Sequence, residues 1–329
     1  MKIKRTIKVS SGACQITQGG YAAKSCHASP AARRRRAFTL VEIMVVMGLL
    51  TVIVIGLMAM FDQTQKAFRA GMAQTDQLEG GRMLNDLVLR DMQQITPTYE
   101  TNAMNFYAQI PPNYMPLLQW LPATDTNIYA RTNILEDVFF TTRYNQTWSG
   151  IGYFVRTSGS VNTPATLVGT LYRFETNVPV AQFTGDAFQP FLSFLALPAP
   201  TVTNSVNVSK VLDGVVEFRV RAYDPQGFWL TNGSPSIESN RFVTITNSIE
   251  MPNPAAPGEV QYYGFSNNIV PAFVELEVGV LEPAVLKKYN SIPSPIIRSN
   301  FLASHAGNVQ VFRQRVAIRN VDPSAYNSQ

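Results

Sequence analysis

An α+β fold is predicted for this chain: one long N-terminal helix followed by an antiparallel β-rich globular head. Three observations predict it. Ile43 to Phe61 is a run of 19 uncharged, mostly apolar residues. Beyond it, Leu84, Val88, Met92 and Ile95 step by four, four and three, so helical spacing continues in a polar context. After Pro97 the pattern changes to short runs whose character alternates at every second residue, as half-buried strands require.

The first segment is a basic leader. Residues 1–37 hold nine basic residues and no acidic ones, leaving 18 basic and 22 acidic residues, a net of −4, for the rest. The high isoelectric point therefore belongs to the leader, and no basic face is expected on the body, so no nucleic-acid binding is indicated. Cys14, Cys26 and His27 also lie in the leader. Once it is removed, His305 is the one histidine and no cysteine remains. Disulfides, thiolate nucleophiles and Cys/His zinc sites are then excluded from the mature chain, and no catalytic residue, metal or cofactor is expected. A Ser-His-Asp triad could use only His305, whose Ser-His-Ala-Gly context reads better as an exposed loop.

The apolar run would be about 28 Å long as a helix at ~1.5 Å per residue, close to the ~30 Å hydrocarbon core of a bilayer. It exceeds the ~7–15 residues of a signal-peptide core, and no small-x-small cleavage site follows it. Arg33 to Arg36 precede it and would hold that end in the cytoplasm, placing the head across the membrane. Glu42 stands at the edge of this run. An unpaired carboxylate in such a helix costs on the order of 2.5 kcal/mol or more, and such groups mark function.

With these residues in view, "RRAFTLVEIMVVMGLL" resembles the class III signal of type IV pilins and type II secretion pseudopilins. The resemblance implies cleavage by a membrane prepilin peptidase between Ala37 and Phe38, N-methylation of Phe38, and a role in assembly for Glu42, on the family's glutamate. It further implies a pilin-like fold, inner-membrane insertion before assembly, other pilin or pseudopilin subunits and a membrane assembly platform as partners, and a filament in the periplasm or at the surface. Cleavage would create a cationic amine at Phe38, and Glu42 of one subunit could pair with that amine on a neighbour, removing both charges from an apolar bundle together. Such a pair would set stagger, as a buried polar group sets register in a coiled coil. The family prefers glycine before the cut, where this chain has Ala37.

The expected organisation is a leader over 1–37, a membrane or filament-core half-helix over 38–61, an amphipathic half-helix over 62–96 and the β-rich head over 97–329. Asp62 and Lys66 form an i,i+4 acid–base pair, Gly71, Gly80 and Gly81 are expected points of bending, and Pro97 marks the stop. "GRMLNDLVLRDMQQITP" resembles the end of the long helix in J-type minor pseudopilins and W-type minor pilins. Residues 97–134 read as an irregular, proline-studded insertion. Strands are predicted at Val138–Thr142, Ile151–Arg156 and Leu167–Glu175, the last two forming a hairpin across "TSGSVNTPA". In "VVEFRVRAYD", Val216, Phe218, Val220 and Ala222 alternate with Glu217, Arg219 and Arg221. In "PAFVELEVGV", Val274, Leu276, Val278 and Val280 alternate with Glu275 and Glu277, so the two strands are expected to be neighbours through their opposite charges. A last strand is predicted over Val309–Arg319.

Other polar groups have plainer readings. Asp76, Glu79, Asp86 and Asp91 read as a solvated helix face rather than a calcium site. Glu275 and Glu277 read as sheet residues rather than hydrolase carboxylates. Trp229, Tyr262, Tyr263 and Phe265 read as core-edge aromatics rather than a sugar platform. The reading that follows is a minor pilin or pseudopilin, a structural subunit and not an enzyme. The alternative is a membrane-tethered extracytoplasmic carbohydrate-binding or hydrolytic domain exported with a pilin-type signal, and a third is an uncleaved anchor.

Overall fold

The computed structural model describes residues 38–111, 117–120, 130–156, 167–185, 187–196, 205–237, 240–246 and 259–326. The leader, Ala37 and the predicted hairpin turn over 157–165 lie outside the described residues. The chain forms two compact units, one ending at Asp62 and the other beginning at Gln63.

Helix α1 runs Leu40–Met92. Its apolar residues up to Phe61 are exposed, as a surface meant for lipid or for other helices would be. Within the second unit, Leu84, Val88 and Met92 are buried, as their spacing predicts, and Leu89 joins them. The helix stops three residues before Ile95. The N–H groups of Gln94 and Ile95 reach back only to the carbonyls of Asp91 and Met92, and Thr96 donates to Thr141 at 3.0 Å, so a strand captures the chain. The glycines do not interrupt α1. Gly81 has a packing reason instead, since a Cβ there would overlap the Phe312 ring.

The second unit carries a curled, antiparallel, nine-stranded sheet. Its members are β1 (Met104–Gln109), β4 (Asp137–Tyr144), β5 (Thr147–Arg156), β6 (Gly169–Pro179), β7 (Val208–Tyr223), β8 (Val243–Thr246), β9 (Tyr262–Ser266), β10 (Phe273–Leu281) and β11 (Val309–Ala317). The order is β11-β10-β7-β6-β5-β4-β1-β9-β8. A separate pair joins β2 (Leu118–Trp120) to β3 (Ala130–Thr132). The fold is thus α+β with a long N-terminal helix, as predicted. The β5–β6 pairing and the β7–β10 neighbourhood are also as expected, with Glu275 opposite Arg221 and Glu277 opposite Arg219. The supposedly irregular segment 97–134 is different: it contains β1, which lies between β4 and β9. Its Phe106, Tyr107 and Ala108 are buried in succession, so no alternation betrays the strand.

The sheet has packing on both faces. Tyr153, Phe140 and Phe218 pack with the α1 stripe in the main core. On the other face, Phe139, Phe154 and Phe174 meet Phe191 of helix α2 (Phe188–Leu195). Gly152 makes room for that aromatic ring, since a Cβ would overlap Phe191. A third cluster joins Val216 and Leu281 to helices α3 (Pro283–Ser291) and α4 (Pro295–Ser304). Both open with proline at the first turn, a helix-start signal present in the sequence but unread there.

Candidate functional site

The N-terminal end of α1 is the first place to look for function. Phe38 is exposed, and Thr39 precedes the helix as its cap. The backbone N–H of Glu42 donates to the Thr39 hydroxyl at 3.3 Å and to the Thr39 carbonyl at 3.1 Å. Thr39-Leu40-Val41-Glu42 is therefore half of a capping box, a signal legible in the sequence but overlooked there. Glu42 is the acidic residue of the first turn, where the helix dipole favours negative charge. Among the described residues its carboxylate makes no ion pair and no side-chain hydrogen bond. Its neighbours along α1 from Ile43 to Phe61 are apolar and exposed, in the one described helix long and apolar enough to cross a membrane. Local capping accounts for an acid near this end, and leaves its side chain without a counter-charge among the described residues.

The head uses its polar groups for structure. Asp91, predicted to face solvent, is half-buried instead, unlike the exposed Asp76, Glu79 and Asp86. It accepts from Arg173 Nε at 2.8 Å and from the Tyr153 hydroxyl at 2.7 Å, fastening α1 to β6 and β5. Burial first, and the Asp91 charge second, push the Tyr153 hydroxyl well above its ordinary range. Burial works against the Arg173 charge, but its bonds to Glu175 and Asp91 outweigh that and raise it.

Glu136 is fully enclosed, and its place follows from the strand pattern. β7 pairs with β6 only as far as Val215, whereas its later residues pair with β10. On the side β6 has left, Phe218 donates to Ile134 O at 2.7 Å, and Val220 donates to Glu136 Oε2 at 2.7 Å. A carboxylate thus completes a strand that has outrun its neighbour. Burial, then the nearby Glu259 carboxylate, raise the Glu136 carboxyl well above its usual range, against the Val220 bond and the charges of Arg219 and Arg221.

The paired acids of β10 form no hydrolytic pair. Glu277 bonds to Arg219, and Glu275 accepts from Arg313 Nη2 at 2.6 Å. Glu259 accepts from Arg221 Nε and Nη2, at 2.8 and 2.7 Å. Trp229 Nε1 donates to the Tyr263 hydroxyl at 2.8 Å, while Tyr263 and Phe265 are buried, so these aromatics close the core and form no platform. His305 is half-buried rather than exposed, its ring stacked 3.9 Å from Phe301 and its Nδ1 2.7 Å from the Phe301 carbonyl.

Residues 32–58 match the family model of the prokaryotic N-terminal methylation motif. The match supports the type IV pilin and pseudopilin family, without separating the J and W types. It supports an exported, processed, pilin-type subunit, and implies a prepilin peptidase and other pilin subunits as partners. That motif family is generally structural rather than enzymatic, and the signal with its apolar helix fits an inner-membrane anchored protein. No curated protein and no solved structure matches the chain.

Proposed function

We propose that this chain is a minor pilin or pseudopilin, a structural and assembly subunit of a type II secretion or type IV pilus filament. The observation that carries the reading is the first turn of α1: among the described residues Glu42 makes no ion pair, and it opens an apolar stretch exposed from Ile43 to Phe61. A carboxylate left unpaired in lipid costs on the order of 2.5 kcal/mol. The missing cation is supplied by processing. The chain inserts once, N-terminus in the cytoplasm and head in the periplasm, and the peptidase cuts between Ala37 and Phe38. Phe38 is methylated and keeps its positive amine. In the filament, Glu42 pairs with the Phe38 amine of a neighbouring subunit, and the helix surface from Ile43 to Phe61 exchanges lipid for other helices. The segments 38–61 and 62–96 hold the membrane and amphipathic halves of α1, which itself ends at Met92, and residues from 97 onward are the head. The head's bulk favours a tip-proximal place over the repeating lattice, where every step would have to accommodate it.

Two measurements test this. N-terminal sequencing of the mature protein should return methylated Phe38, and an intact Met1 would sink the processing step. Glu42→Ala should still be cleaved and membrane-bound but absent from sheared filaments. Unchanged entry into filaments would remove the pairing role, and recovery of this chain as the main filament protein would remove the minor-subunit role.

A further inference from the structure

We propose that the free edge of β11 is a docking site for an extended acidic segment of a partner protein, which would add to the sheet as a tenth strand. β10 and β11 run in one unbroken register from Phe273 opposite Ala317 to Leu281 opposite Val309. Just beyond the two ends, Ile318 N–H donates to Ala272 O and Glu282 N–H donates to Asn308 O, both at 3.0 Å. Antiparallel bonding alternates residue by residue, so the even-numbered residues of β11 bond to β10. Val311, Arg313, Arg315 and Ala317 therefore turn their N–H and C=O groups outward. Among the described residues these four outward N–H groups have no acceptor, and the next in the series, Arg319, donates to Gln93 O at 3.4 Å. The strand has no proline and no bulge against β10, and among the described residues no helix bonds to these four outward positions, α1 reaching β11 instead at the Gln314 side chain.

Charge identifies the occupant. The same face carries Arg219 and Arg221 on β7, then Glu277 and Glu275 on β10, then Arg313 and Arg315 on β11. The rows alternate basic, acidic, basic, and the next row outward is acidic by the same rule of cross-strand pairing. Arg313 is already engaged with Glu275. Arg315 has no carboxylate partner among the described residues; its guanidinium lies 3.6 Å from the Tyr223 ring centroid and 4.9 Å from that of Phe273, with one bond to Gly227 O at 3.0 Å. Arginines on an edge also deter unwanted pairing, and both Arg313 and Arg315 are exposed. Arg315 is held in place, beside a surface hollow formed by Pro225, Gln226, Gly227, Phe273 and Ala317. A second copy of this chain fits poorly: antiparallel pairing centred on Arg313 or on Gln314 would set arginine against arginine. The fitting ligand is a strand with acidic residues at i and i+2, one opposite each arginine, joined by main-chain bonds as in other strand additions.

The test uses the full-length chain in detergent micelles and a fluorescent peptide with glutamate at two alternate positions among threonine and valine. A twin peptide carries lysine at those two positions. The glutamate peptide should bind at least about tenfold more tightly, and it should slow amide hydrogen exchange at residues 311, 313 and 315. Arg313→Glu with Arg315→Glu should invert the preference. Val311→Pro, which removes an outward N–H but no bond to β10, should weaken binding severalfold with the exchange pattern of the rest of the sheet intact. Equal affinity for both peptides, binding without amide protection, or homodimers cross-linked through Arg313→Cys would each overturn the proposal. Because the readout involves only the head, its failure would leave the processing and assembly reading untouched.

Discussion

Replacing Asp91 by alanine tests the attachment of α1 to the sheet. The substitution removes the acceptor for Arg173 Nε at 2.8 Å and for the Tyr153 hydroxyl at 2.7 Å. A hydrogen bond to a charged group contributes about 1.5–3 kcal/mol, and a stranded buried hydroxyl costs about 1–3 kcal/mol. Tyr153 is fully buried and has no alternative in water, whereas Arg173 keeps Glu175. Taking the lower half of each range gives a loss of about 3 kcal/mol for Asp91→Ala. For a domain of this size that lowers the unfolding midpoint by roughly 6–12 °C. Asp91→Asn keeps an acceptor and should lose about half as much. Tyr153→Phe alone should lose about 1 kcal/mol, and combined with Asp91→Ala it should add little, because the two share one bond. The assay is thermal unfolding of the detergent-solubilised chain followed by near-ultraviolet circular dichroism. A loss below about 0.5 kcal/mol for Asp91→Ala, or full additivity with Tyr153→Phe, would refute this account of the joint.

Further outcomes follow from burial and charge. Gly152→Ala should destabilise the head by about 1–3 kcal/mol, read from chemical denaturation, because its methyl must displace the Phe191 ring from the aromatic cluster around α2. Glu136 has a folded-state carboxyl raised well above 4.5, so the folded chain holds a proton that the unfolded chain releases. Its contribution is complete below pH 4.5 and declines as pH rises toward the folded value, by at most about 1.4 kcal/mol per pH unit. Glu136→Gln should remove that decline, and a parallel pH profile for the two proteins would show that Glu136 is ionised in the fold.

Legibility in the sequence followed solvent. β7 and β10 were readable because one face of each carries charges, and Arg219, Arg221, Glu275 and Glu277 disclosed both the strands and their adjacency. β1 was not, and β4 was found only in part, since Phe139 serves the α2 face while the adjacent Phe140 serves the α1 face. A strand buried on both sides has no alternation to show. The α1 stripe was legible from its spacing alone, but Asp91 was not, because its partners lie 82 and 62 residues away along the chain. Nothing local to a helix announces an arginine from another element. At the N-terminus the carboxylate stood out from its apolar context, and the capping role of Thr39 was available but eclipsed by it.

The rooting of α1 in the second unit has a mechanical meaning. Gln77 bonds to the Val280 carbonyl of β10, Asn85 to Gln314 of β11, Asp91 to β6 and β5, and Ile95 bridges Thr142 of β4. Tension drawn along the helix axis is therefore delivered to five strands in parallel, at the middle of the sheet as well as its rim. No single strand bears the load alone. Such a head would resist traction along that part of the helix through several separate contacts at once.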